Sequence, residues 1–245
     1  ASMAGANVPR KELALACQRA ENDFVGMKCG IMDQFVSAFG EAGHAILIDC
    51  RSLEHRSVPV PQGLQLLVVN SMVKHELASS EYNTRRRECE QAVKILGKPL
   101  RDIPAAEWPS LEDMLPDTLR RRARHVVTEN ARVLAFVEAC RQNDQASMGR
   151  LMAASHGSLR DDYQVSCPEI DFLVETAARL EGVAGARITG GGFGGCTVNL
   201  VKNGYAENFQ RSITAGYESQ FGLRPEIYVC QTADGARELN EASPG

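Results

Sequence analysis

Gly190-Gly191-Gly192-Phe193-Gly194-Gly195 packs five glycines into six residues, and no other stretch limits the fold as tightly. Each glycine costs backbone entropy on folding, so such a run is kept where the chain turns with positive φ or approaches another object closely. Positions 190, 192 and 195 formally satisfy G-x-G-x-x-G. That dinucleotide fingerprint requires a helix straight after the glycines. Here Cys196-Thr197-Val198-Asn199-Leu200-Val201 follows, an alternating strand, and residues 185–189 before the run are strand-like too. The run also lacks the Gly-Lys-Ser/Thr ending of a P-loop. A glycine hairpin between antiparallel strands is expected, either packed on a neighbouring loop or pressed against a phosphate-binding loop.

The rest of the chain fits around that hairpin. Leu13, Ala14, Cys17, Ala20 and Phe24 give helical spacing over residues 11–24, and residues 33–39 suit a second short helix. Residues 43–50 and 55–60 read as two strands joined by a turn at 49–54. Pro59, Pro61 and Gly63 mark the best candidate boundary. Beyond it come a strongly apolar strand (64–73) and a helix (79–96) with Tyr82, Cys89, Val93 and Leu96 in phase. A proline-broken stretch (99–116) and helices over 117–141 and 144–156 follow. Ser166-Cys167-Pro168-Glu169 reads as a capping box opening a helix to about residue 180. A helix over 206–221 and a last strand over 226–231 close the chain. The order predicts an α+β domain with an antiparallel sheet and helices on one side.

With 245 residues the chain can form one large domain or two small ones. Its net charge of −4 offers no basic patch of the kind nucleic acid demands. The clusters Arg85-Arg86-Arg87 and Arg120-Arg121-Arg122 lie in helix-like text among acids and read as solvated or interdomain faces. The eight cysteines form no Cys-x-x-Cys pair and no ligand spacing with the histidines, which points to a reduced, cytoplasmic protein. No apolar run approaches spanning length and no signal peptide is visible, so no membrane association is expected. Ala1-Ser2-Met3 carries no initiator methionine at position 1 and reads as the middle of something.

Cys29-Gly30-Ile31-Met32-Asp33-Gln34-Phe35 places an acid after an apolar pair and behind a glycine. Asp33 reads either as the cap of the helix that follows or, in a cleft, as a carboxylate that can take a proton from a substrate hydroxyl. These residues alone leave both open.

Taken together, the segments resemble the galactokinase family of the GHMP small-molecule kinase superfamily. The resemblance is carried by Ala20-Glu21-Asn22 with Gly26-Met27, the Asp33 segment, Leu47-Ile48-Asp49-Cys50-Arg51-Ser52-Leu53, and His75 with Leu77-Ala78-Ser79-Ser80-Glu81-Tyr82. Arg121 to Val127, Ser158 to Tyr163, the 166–169 segment and the glycine run complete it. It implies a two-domain GHMP kinase fold: residues 1–63 a remnant of the N-terminal domain, 64–245 a ferredoxin-like C-terminal domain. It further implies transfer of the γ-phosphoryl of ATP to the anomeric hydroxyl of galactose, with Mg²⁺ as cofactor, in a protein that is monomeric when complete.

By the same resemblance Asp33 is the catalytic carboxylate. Gly30, Asp33 and Tyr82 bind the sugar, and Glu21 ligates Mg²⁺. Gly190, Gly191, Gly192, Gly194 and Gly195 support the phosphate loop. The family's own sugar segment and its serine-rich phosphate loop are absent from this sequence, so the 245-residue chain is expected to be inactive alone. Lys28 and Lys74 depart from the common Pro and Arg; Lys74 gives up a bidentate fork. Two alternatives stay open: a galactose- and ATP-sensing regulator on the same fold, and a sister kinase for N-acetylgalactosamine or galacturonate.

Overall fold

The expected first helix forms as α1 (Arg10–Arg19) and runs on into a π-helical turn, Ala20–Val25, which ends where Gly26 takes φ +82°. This computed structural model describes residues 5, 7–26, 29–74 and 78–237, with only the backbone of Lys74 and residues 78–80. Met27, Lys28, His75 and Leu77 of the motif segments lie outside the described residues. Helix α2 (Met32–Phe39) follows, then strands β1 (His44–Ile48) and β2 (His55–Pro59), paired antiparallel with Ile48 opposite His55. Ala14 of α1 meets Ile31, Phe35 and Ala38 in a small core, onto which Leu15, Phe39, Ile46, Ile48 and Leu53 pack. Phe35 stacks on Phe39 with ring centroids 4.4 Å apart. The Asp49 carboxylate accepts the N–H groups of Arg51 (2.8 Å) and Ser52 (3.1 Å), an Asx turn that reverses the chain between the strands.

Residues 61–230 form a second unit. Strand β3 (Leu64–Lys74) leads into α3 (Ala78–Leu96), a short α4 (Trp108–Leu111), α5 (Asp117–Arg141) and α6 (Gln145–Ser158). A second π-helical turn, Leu159–Tyr163, extends α6. Then come α7 (Pro168–Arg179), β4 (Val183–Thr189), β5 (Gly194–Lys202), α8 (Ala206–Phe221) and β6 (Glu226–Cys230). The sheet runs β4-β5-β3-β6, every pair antiparallel, so the glycine run does join neighbouring antiparallel strands. Alternate residues of the sheet (Leu67, Val69, Ala186, Ile188, Val201) bury against Ile170, Leu173, Val174 and Ala177 of α7 and Phe209, Ile213 and Tyr217 of α8. A separate core joins α3 to α5 through Ala92, Leu119, Ala123 and Val127, capped by Trp108.

The division of the chain differs from the sequence expectation at two places. The first unit comprises residues 1–60 together with 231–245, and the second begins at 61 rather than 64. The tail after β6 returns to the first unit by hydrogen bonds. Gly235 N–H donates to Gly40 O (2.8 Å) and Ala236 N–H to Ser37 O (2.6 Å), while Asp234 and Thr232 side chains accept from Ala42 and Gly43 N–H. The backbones meet so closely at Gly40 and Gly235 that an added Cβ at Gly235 would lie 2.9 Å from Ala38 C and Gly40 N.

Two local expectations are corrected. The N-cap of α7 is Cys167, and the Ser166 hydroxyl donates to Asp171 instead of closing a capping box. The arginine clusters are not simply solvated faces, since Arg122 (3% exposed) and Arg85 (9%) lie among the buried residues.

Candidate active site

In the first unit, Asp33 occupies the first turn of α2, whose N-cap is Ile31 and carries no side-chain cap. The cap reading of Asp33 therefore fails. Its carboxylate is exposed and has no hydrogen-bond or ion-pair partner among the described residues. Phe35 and Ala38, on the opposite side of α2, are buried and fix which face Asp33 presents. Gly30 precedes this helix and is exposed. It has no positive φ, and an added Cβ would meet nothing within 4 Å, so the described fold itself does not demand glycine there. The segment is held by Gln18, which donates to Cys29 O (3.3 Å), and by Gln34, whose amide lies 3.8 Å from Cys29 Sγ. Glu21 sits half-buried in the π-helical turn, again without a partner among the described residues. π-Helical turns break the regular backbone pattern and recur at functional sites. No group of three or more His, Cys, Asp or Glu side chains gathers as a metal site among the described residues. One unpartnered carboxylate fits Mg²⁺, which is held by one or two carboxylates together with substrate phosphates, and would not suffice for a fully protein-ligated ion.

In the second unit, Tyr82 lies near the start of α3 with 42% of its surface exposed. The glycine turn has positive φ at Gly190 (+83°), Gly192 (+85°), Phe193 (+59°), Gly194 (+103°) and Gly195 (+77°). A Cβ on Gly192 would stand 2.5 Å from Val165 O, and one on Gly194 2.4 Å from Val73 O. These two glycines are required by neighbouring backbone, as the hairpin-on-loop reading expects. Gly190, Gly191 and Gly195 have open space where a Cβ would be. Opposite the turn, β3 is bulged: Met72 takes φ +62°, and pairing shifts from Asn70↔Cys196 to Lys74↔Gly194. Asn70 Oδ1 accepts the Met72 N–H (2.9 Å), and the Ser71 hydroxyl donates to Gly195 O (2.8 Å), which pins the bulge to the turn.

A buried arginine network underlies this region, and it was missed by reasoning from sequence. Arg122 donates to Glu88 (2.7 Å), to Asp162 O (2.6 Å) and to Gln164 Oε1 (2.9 Å). Arg85 donates to Tyr163 O (2.8 Å) and Gln164 O (2.9 Å). Burial pushes the Tyr163 hydroxyl and the Cys89 thiol beside it upward in pKa, so both stay neutral at physiological pH. A signal for Arg85 does exist: it continues the stripe Tyr82, Cys89, Ala92, Leu96 at helical spacing, as Arg122 continues Leu119, Ala123 and Val127.

The GHMP kinases N terminal domain matches residues 1–41, and GHMP kinases C terminal matches residues 136–219. The chain belongs to the GHMP kinase family. Within it, the similar curated proteins are galactokinases. That of Roseiflexus sp. is 48% identical over 245 residues, covering 97% of this chain and 63% of the relative. That of Homo sapiens is 50% identical over 228 residues, covering 92% and 57%. A crystal structure of Lactococcus lactis galactokinase complexed with galactose matches with a TM-score of 0.91 at 37% identity, covering 96% of this chain and 62% of that one. The chain thus spans about six-tenths of the length of the relatives it matches.

Proposed function

We propose that this chain is part of an ATP-dependent kinase that phosphorylates galactose at its anomeric hydroxyl. The observation that carries the reading is the pairing of about half-identity to galactokinases along nearly the whole chain with the close structural match to one holding galactose. In the reaction a bond forms between the sugar O1 and Pγ, the bond from Pγ to the β,γ-bridging oxygen breaks, and the O1 proton leaves. Asp33, exposed and unpartnered, is assigned to orient that hydroxyl and accept its proton. Phosphoryl transfer runs through a loose transition state, so positioning matters more than base strength. Tyr82 is assigned to a hydroxyl of the sugar, and Gly30 to letting backbone approach it.

Glu21 would hold Mg²⁺, which neutralises charge on the phosphates when bound. The glycines of the 190–195 turn are assigned to supporting the phosphate-binding loop. The eight free cysteines suit a cytoplasmic setting. Among the described residues no helix is long and apolar enough to cross a membrane. A monomeric state completes the proposal.

The test is Asp33→Asn in the full-length protein. Turnover should fall by about a thousandfold, while galactose affinity by calorimetry stays within about threefold, because a neutral isostere keeps most of the contact. Turnover near wild type would remove Asp33 from the chemistry.

A further inference from the structure

Arg85 follows Tyr82 by three residues on α3, with its side chain 10% exposed. Its guanidinium is fully engaged. Nε donates to Tyr163 O and Nη2 to Gln164 O, and Nη1 faces Glu81 (3.4 Å) and Glu88 (3.7 Å). The group also lies 5.6 Å from the centroid of the Phe193 ring, in the middle of the glycine turn. The two carbonyls it grips end the π-helical turn, where Gln164 takes φ +56°, a conformation an L residue adopts only at a cost. Such a segment persists when its surroundings hold it.

The next residue passes the placement on. Val165 O accepts the Phe193 N–H at 2.7 Å, and Val165 fills the space beside Gly192. One guanidinium therefore contacts α3, residues 163–164 and the ring of Phe193. Arg122 grips the same segment from α5 and shares Glu88 with Arg85.

We propose that Arg85 is a positioning residue that fixes the glycine turn and the Tyr82-bearing end of α3 in register with each other. Lysine cannot replace it, since one ammonium does not span two carbonyls and also lie over an aromatic face. The kinetic consequence rests on the functional reading above; the structural consequence does not.

The experiment uses the full-length protein and Arg85→Lys, with amide hydrogen exchange and steady-state kinetics measured side by side. Exchange at residues 163–165 and 190–195 should quicken by about tenfold, with residues 197–201 of β5 at wild-type rates. The KM for ATP should rise by about tenfold with kcat within about threefold. Wild-type exchange in the turn overturns the proposal. So does an equal rise throughout the sheet, which would make Arg85 a general stability residue. If Arg85→Lys does not fold, Phe193→Leu, which keeps the amide and removes the ring, should quicken exchange at the same residues, and no change there overturns the proposal. A wild-type protein that does not phosphorylate galactose defeats the functional reading alone, because the exchange arm still decides the role of Arg85.

Discussion

Gly30 and Gly192 are the same residue type in opposite surroundings. A methyl group on Gly192 would drive into Val165 O and would have to sit at φ +85°, whereas one on Gly30 would enter open space at an ordinary φ. Gly192→Ala is expected to cost about 2 kcal/mol or more, from strain and overpacking together. Gly30→Ala should leave thermal unfolding within about 0.5 kcal/mol of wild type yet lower kcat/KM for galactose in the full-length protein. Equal loss of stability in both variants would contradict this contrast.

At this scale the sequence was legible where a constraint sits in one short contiguous stretch, as in the glycine run, whose Gly192 and Gly194 are required by neighbouring backbone. It was illegible where one residue type serves two environments. Arg85, Arg86 and Arg87 look alike as text, but only Arg85 falls on the buried stripe of α3, where the carbonyls of residues 163 and 164, far away along the chain, and the carboxylates of Glu81 and Glu88 offset its burial.

The helices and most strands followed from periodicity, while the devices that join elements did not. The bulge at Met72 needs a side chain, Asn70, to satisfy the displaced amide, and nothing in the apolar run 64–73 announces it. Likewise α6 reads as an ordinary helix, yet its continuation into a π-helical turn aligns a polar relay with α5. Ser158 donates its only hydroxyl hydrogen to Asp162 (3.0 Å), so it must accept from His125 Nδ1 at 3.0 Å, which fixes the tautomer.

Burial holds His125 down to about 4. Glu129 and Asp162 oppose that shift, and Arg132 and Arg187 reinforce it. The folded pKa lies below the unfolded value near 6.5, so neutral His125 contributes its full stability above pH 6.5. That stability is lost as pH falls toward 4, on the order of 3 kcal/mol at most. Denaturant titrations of wild type and His125→Asn at pH 7 and 4.5 should show a smaller acid loss in the variant. An unchanged difference would place the acid sensitivity elsewhere.

At the scale of the molecule, the sequence indicated two parts divided after Gly63, since prolines and glycine punctuate the chain there. It could not show that the first part is assembled from two distant stretches. The contacts of residues 232–236 with 37–43 are mostly backbone hydrogen bonds, which leave little mark on residue type beyond the paired glycines at 40 and 235. Deleting residues 231–245 should therefore loosen the first unit selectively. Amide exchange in residues 37–48 is expected to rise by at least about tenfold, while the sheet of the second unit keeps its protection. Unaltered exchange at 37–43 would show the tail to be dispensable.

The same strap sets an order of events during synthesis. Residues 1–60 are synthesised before the second unit, but the segment that fastens residues 37–43 is made only after the whole of it. At about 5–20 residues per second that interval is from about ten to about thirty seconds. Throughout it the β1–β2 pair must wait unfastened on the nascent chain, so the second unit, although later in the sequence, is placed to finish folding first.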